Sequence, residues 1–148
     1  MTRRPRKPVP VVEFIYLWNL CMPVVDTPTI LVVEDDDIVR MLLVDILEEL
    51  NFKVCEAESW DAAAQFIDER ADIALLITDM NLGDRQGRSG VDLAIHARKL
   101  RPEVAVLMAS GYGDTLELPE GAELLSKPFT LDALRDRVHS MLGLPAAR

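Results

Sequence analysis

Five polar residues of this 148-residue chain each close an apolar run. Glu34 and Asp35 follow Thr29–Val33 (TILVV), Asp79 follows Ile73–Thr78 (IALLIT), Ser110 follows Val104–Ala109 (VAVLMA), and Lys127 follows Ala122–Ser126 (AELLS). Gathered in one place, the three carboxylates would face a single ammonium. That imbalance is unfavourable in a partly desolvated crevice unless a cation offsets it. All-oxygen ligands favour a hard ion such as Mg²⁺, which keeps several waters and accepts one or two carboxylates. A divalent ion beside a free carboxylate, an ammonium and a hydroxyl suits phosphoryl transfer: the cations neutralise the equatorial oxygens while the carboxylate attacks in line. Taken singly, each residue has an ordinary reading. The EDDD run suits a helix start, an Asp after an apolar strand is usually a turn residue, and Ser-Gly after a strand is common loop chemistry. The combination carries the chemistry.

Gathering them is the task of the elements in between. The apolar runs are short and rich in β-branched residues, as strands buried on both faces are. Phe52–Ala57 reads as a further strand. Helical patterns alternate with the strands. After a cap at Asp36 or Asp37, the spacing turns Val39, Leu42, Leu43, Ile46 and Leu50 inward and leaves Asp45, Glu48 and Glu49 in water. Ser59 caps a helix from Trp60 to about Arg70, with Ala63, Phe66 and Ile67 inward. A third helix runs from about Gly90 to Leu100. Thr130 caps the last, with Leu131, Leu134, Val138, Met141 and Leu142 inward and a stop at Gly143. Such alternation predicts right-handed crossovers and a parallel sheet with helices on both faces. The carboxyl ends of the strands then share one edge, where ligands bind. Residues as far apart as 34 and 127 converge there.

With these residues in order, the stretch 29–142 resembles the receiver domain of two-component response regulators, of the stand-alone, single-domain type. VVEDD carries the acidic pair at Glu34 and Asp35, LLITDMNL the phosphoacceptor strand at Asp79, VLMASG the hydroxyl at Ser110, and LLSKPF the Lys127-Pro128 pair. The resemblance implies an α/β fold, an open five-stranded parallel sheet of order 2-1-3-4-5. It implies that Asp79 takes a phosphoryl group from a phosphohistidine on a sensor histidine kinase or a histidine phosphotransfer protein. Mg²⁺ is then expected on Asp35, Asp79 and the main-chain carbonyl of Asn81, with Glu34 acting largely through water. Ser110 and Lys127 are expected on phosphoryl oxygens, with Met80, Gly111 and Pro128 in support and the Lys127-Pro128 bond cis. Phosphorylation then biases a two-state surface read by a downstream protein. Whether the chain regulates that target directly or serves as a relay intermediate or sink is open, as is homodimer formation.

The chain departs from the family pattern in four respects. Gly83 stands where relatives carry Pro. Gly90, rather than Gly87, matches the Gly before the third helix, so the loop DRQGRSG is an insertion; its Arg85 and Arg88 read as solvated. The stretch from Ser110 to Lys127 is shorter than usual, so the fourth helix is expected to be reduced or absent. Leu124 occupies the position of the family's switch aromatic, and Tyr112 is read as a surface tyrosine rather than its substitute.

Composition narrows the alternatives. With 16 Lys+Arg against 25 Asp+Glu, the net charge is −9, which argues against a nucleic-acid surface. Cys21 and Cys55 fit a reducing cytoplasm and form no zinc-ligand cluster. Residues 1–28 hold five of the nine prolines and none of the seven glycines. Their apolar run is broken by Pro10, Glu13, Asn19 and Pro23, so neither a signal peptide nor a membrane span is expected. The stretch reads as an N-terminal extension; with Met22 as the natural start of the domain, residues 1–21 are an upstream extension or a loosely attached arm, and alternatively Phe14–Trp18 dock on an apolar groove of this chain or a twin. Residues 143–148 read as a tail. An aspartyl-nucleophile phosphatase of the haloacid dehalogenase type needs an acid where Asn81 stands. Neither nucleotide-binding glycine motif is present, and the intact acidic set argues against a phosphorylation-independent interaction module. His96 and His139 read as surface residues, Cys55 as core, and Trp60 as partly buried or a partner contact.

Overall fold

The computed structural model describes residues 28–111 and 118–144. The expectations for residues 1–27, for Tyr112 and for the reduced fourth helix fall wholly or mostly outside these. Five strands form: β1 (Thr29–Val33), β2 (Lys53–Ala57), β3 (Ile73–Asp79), β4 (Ala105–Ser110) and β5 (Ala122–Ser126). Four helices accompany them among the described residues: α1 (Asp37–Glu49), α2 (Trp60–Glu69), α3 (Gly90–Leu100) and α4 (Leu131–Met141). The strands are parallel and ordered β2-β1-β3-β4-β5, the expected doubly wound sheet.

The central strands β1, β3 and β4 are apolar along their middles, with polar residues only at their ends, because both faces are covered. Within β1, Leu31 and Val33 pack on the side of α2 and α3, with Ile67, Leu93 and Ala97. Ile30 and Val32 pack on the side of α1 and α4, with Leu47, Leu134 and Val138. The period-2 alternation of a strand thus feeds two cores at once. Helix starts follow the expected caps. The Asp36 carboxylate accepts from the amides of Ile38 and Val39, Ser59 Oγ from Ala62, and Thr130 Oγ1 from Ala133. Ser89 and Asp92 form a reciprocal capping box at α3.

Two helix faces differ from the sequence reading. On α1 the buried stripe is Leu43, Val44 and Leu47, whereas Leu42 is 54% exposed beside Ile38 and Met41. The consecutive apolar residues Met41–Val44 fit more than one stripe, and the sheet selects the one a residue further round. On α4, Leu131 opens the first turn and is half exposed, while Leu134 and Val138 carry the burial. No described helix is long and apolar enough to cross a membrane.

At the opposite edge from the polar strand ends, Asp72 ties the start of β1 to the α2–β3 loop. It accepts from Thr29 Oγ1 at 2.9 Å and from Arg70 Nε and Nη2, its two oxygens at 3.0 and 2.6 Å. The Arg70 guanidinium holds its carboxyl down at about 2, from an ordinary 3.8. A depressed carboxyl stabilises the fold above its unfolded value, and that contribution disappears as pH falls through the folded value. The urea midpoint of Asp72→Asn should therefore lie below wild type at pH 6 and approach it near pH 2. A gap independent of pH would contradict this account.

Candidate functional site

Strand register builds the site. Val33 pairs with Thr78, Asp79 with Ala109, and Ser110 with Ser126. The carboxyl ends of the four strands β1, β3, β4 and β5 therefore stop together, and the polar residues that follow share one edge. Glu34 is only 3% exposed, Asp79 is half-buried and Asp35 is open to solvent. One carboxylate oxygen from each of the three lies within 4.8 Å of the others. Lys127 Nζ stands 3.4 Å from Glu34 Oε2 and 3.4 Å from Asp79 Oδ2, one ammonium between two acids.

Glu34 and the main chain around Lys127 are held by further hydrogen bonds. Glu34 Oε1 accepts from the Asp36 amide at 3.1 Å, and the Glu34 carbonyl accepts from Arg40 Nη1 at 2.8 Å. Burial pushes the Glu34 carboxyl above its ordinary value; the Asp36 amide and the Lys127 charge work against that, while Asp35 and Asp79 add to it. The Lys127 amide donates to the Ser110 carbonyl at 2.6 Å, and the Lys127-Pro128 bond is cis. Ser110 is buried, with Oγ donating to the Gly111 carbonyl at 3.2 Å. Gly111 is exposed.

The loop after β3 bends back over Asp35. Buried Met80 donates its amide to the Ala109 carbonyl at 3.2 Å and accepts from the Gly90 amide at 2.8 Å. Exposed Asn81 accepts through Oδ1 from the Gly83 amide at 3.1 Å, and Leu82 is buried. Gly83 has φ +60, and a Cβ there would stand 3.2 Å from Asp35 Oδ2. Proline, locked near φ −65°, has no place in that conformation, which accounts for the departure from the family pattern.

Arg88 is not the solvated residue the sequence suggests. Its Nε and Nη2 grip the two oxygens of Asp84, each at 2.9 Å, and its Nη1 reaches Asp61 Oδ1 on α2 at 3.0 Å. The guanidinium lies 4.1 Å from the centroid of the Trp60 ring. The Asp84–Arg88 spacing inside the insertion is the sequence signal for this clamp; the partners on α2 depend on the fold. Arg85 is exposed, as expected. Between the insertion and the start of α2 lies a cleft of about 400 Å³ that opens beside Asp35 and is lined by Trp60, Gly83, Arg85 and Arg88.

The remaining candidates sit elsewhere. His96 on α3 pairs with Asp68 at 3.1 Å and tilts against Trp60, which is itself half-buried. His139 on α4 meets Phe52 edge-on and is half-buried rather than free on the surface. Cys55 is half-buried in β2, and burial pushes its thiol up.

Comparison with known proteins gives the same reading. The response regulator receiver protein CpdR of Brucella abortus is 29% identical over 118 residues, covering 76% of this chain and 95% of that protein. Sensor kinase CckA of the same organism is 32% identical over 120 residues, 77% of this chain but only 12% of the kinase. A response regulator receiver domain protein from Clostridium thermocellum superposes with a TM-score of 0.70 at 29% identity, over 78% of this chain and 94% of that one. The family model for the response regulator receiver domain matches residues 30–139, and the chain belongs to that family.

Proposed function

We propose that this chain is a two-component phosphoacceptor in which Asp79 becomes an aspartyl phosphate with the help of Mg²⁺. The observation that carries the reading is the meeting of Glu34, Asp35 and Asp79 within 4.8 Å, with Lys127 3.4 Å from two of them. Three carboxylates against one ammonium form an all-oxygen donor set with excess negative charge, which fits a hard divalent ion. Asp35, Asp79 and the main-chain carbonyl of Asn81 would hold it, with Glu34 behind them. When bound, Mg²⁺ supplies charge neutralisation at the phosphoryl oxygens.

The chain's own residues do the rest. A carboxylate oxygen of Asp79 attacks phosphorus in line. The P–N bond of the donor phosphohistidine breaks, its electron pair stays on the imidazole nitrogen, and an acyl phosphate remains on Asp79. Lys127 pairs with one phosphoryl oxygen and Ser110 Oγ turns to donate to another. A sensor histidine kinase or histidine phosphotransfer protein supplies the phosphohistidine, and the cytoplasm, where ATP charges such donors, is the expected location. Helix α1 begins directly after the acidic pair and presents Ile38, Met41 and Leu42, all more than half exposed. An apolar patch beside a reactive centre is suited to the helical surface that carries the donor histidine.

The test is incubation with acetyl phosphate and Mg²⁺ followed by intact-mass measurement. One phosphoryl group should be added, labile to hydroxylamine as an acyl phosphate is, and EDTA should suppress it. No adduct, or an adduct indifferent to EDTA, would sink the proposal.

A further inference from the structure

The loop that follows β3 carries Asn81, the main-chain ligand of the proposed metal site, and then runs out into the insertion. An insertion next to a metal ligand ordinarily loosens it, because added chain raises the entropy that binding must remove. Here the added chain closes on itself. Asp84 Oδ2 accepts from the amides of Gln86 at 3.1 Å and Arg88 at 2.9 Å, and the Gly87 amide donates to the Asp84 carbonyl at 3.0 Å. The Arg88 side chain then grips the same carboxylate with a two-point fork, whose guanidinium holds Asp84 down at about 2. Its third contact, Asp61, and its stacking partner, Trp60, belong to α2. The insertion is thereby fastened to the body of the domain at its far end, while buried Leu82 fastens its near end. Between those two points the backbone at Gly83 leans on Asp35, a Cβ there standing 3.2 Å from Asp35 Oδ2.

We propose that Arg88 is a positioning residue of the phosphoacceptor site: through Asp84, Asp61 and Trp60 it holds the loop of Asn81 against Asp35 in the geometry that receives the divalent ion. This rests on the metal-dependent reading above. Arg88 touches neither the ion nor the phosphoryl group; it lowers the freedom the loop must lose on binding. Lysine cannot replace it, since an ammonium provides neither the planar fork nor the stacking face.

The experiment compares the full wild-type chain with Arg88→Ala and Arg88→Lys. Hydrogen exchange without metal reads the clamp, calorimetric Mg²⁺ titration reads the site, and acetyl-phosphate labelling at saturating Mg²⁺ reads the chemistry. In Arg88→Ala the peptide spanning the insertion should exchange faster. The Mg²⁺ dissociation constant should rise about tenfold, at the low end of what removal of an outer partner of a metal ligand produces. The labelling rate at saturating Mg²⁺ should stay within about twofold, since the acceptor itself is untouched. Arg88→Lys should resemble Arg88→Ala. If Arg88→Ala does not fold, Trp60→Phe, which weakens the stacking but keeps an aromatic ring at the start of α2, should weaken Mg²⁺ binding by about threefold. A wild-type chain that binds no Mg²⁺ fails the reading of the site. A wild-type chain that binds Mg²⁺, with equal affinity in the folded Arg88 variants or in Trp60→Phe, overturns the role of Arg88 alone.

Discussion

Asp79→Asn is expected to abolish phosphoryl uptake from acetyl phosphate and Mg²⁺ while leaving the fold in place. The substitution keeps the volume and planar shape of the side chain and replaces one oxygen with an amide nitrogen. An amide has no anionic oxygen to attack phosphorus, so the loss should be complete at the sensitivity of intact-mass measurement. The fold has little reason to suffer. Asp79 is half-buried at the end of β3, and Lys127 retains Glu34 as its second carboxylate at 3.4 Å. Removing one partner of a partly exposed ion pair costs about 1 kcal/mol or less, and the three-acid cluster is relieved of one mutually repelling charge. The thermal midpoint should therefore shift by a few degrees at most and can rise. Mg²⁺ affinity should fall by about tenfold or more, because one of the carboxylates proposed to hold the ion is gone. Loss of label with unchanged circular dichroism isolates the chemistry from the scaffold. A label that persisted in the variant would place the acceptor on another carboxylate and overturn the assignment.

Much of this molecule can be read without coordinates, and the reasons are physical. Strands covered on both faces must be apolar along their length, so TILVV and IALLIT announce themselves, and the first polar residue after each marks the common edge. Glu34, Asp35, Asp79 and Lys127 are legible because they interrupt an otherwise uniform pattern. Helix faces are less so. Around Leu42 and Leu43 the consecutive apolar residues leave the phase of the stripe open, and only packing on the sheet decides that Leu43 turns inward and Leu42 outward. The reach of Arg88 to α2 is the clearest case of what sequence does not carry. A charged residue in a Gly-containing loop defaults to solvent, and its partner Asp61 lies on α2, brought near by the crossover. Gly83 is similar: its positive φ follows from the loop's path over Asp35, which depends on the length of the insertion.

Gly90→Ala is expected to be among the most damaging single-methyl additions to this domain. Gly90 opens α3 where that helix abuts the end of β3. A Cβ placed there would stand 2.1 Å from the Asp79 carbonyl oxygen, 3.0 Å from its carbon and 3.1 Å from Met80 Cα. All three are backbone atoms, so no rotamer change relieves the clash. The approach is enforced by the hydrogen bond from the Gly90 amide to the Met80 carbonyl at 2.8 Å, which must lengthen or break if the helix backs away. Overpacking commonly costs about 1–3 kcal/mol, and against fixed backbone the upper end applies, about 3 kcal/mol. For a chain of this size that corresponds to a drop in melting temperature of about 10 °C. The displacement falls on the peptide of Asp79 and on the loop that carries Asn81, so in the folded fraction Mg²⁺ binding and acetyl-phosphate labelling should weaken as well. Gly111→Ala is the control. A Cβ at Gly111 meets nothing within 4 Å, and the substitution should leave the melting temperature within about 2 °C of wild type. Equal melting temperatures for the two variants would mean that α3 is free to shift at its first residue, and that the close contact with the Asp79 carbonyl does not hold the end of β3 in place.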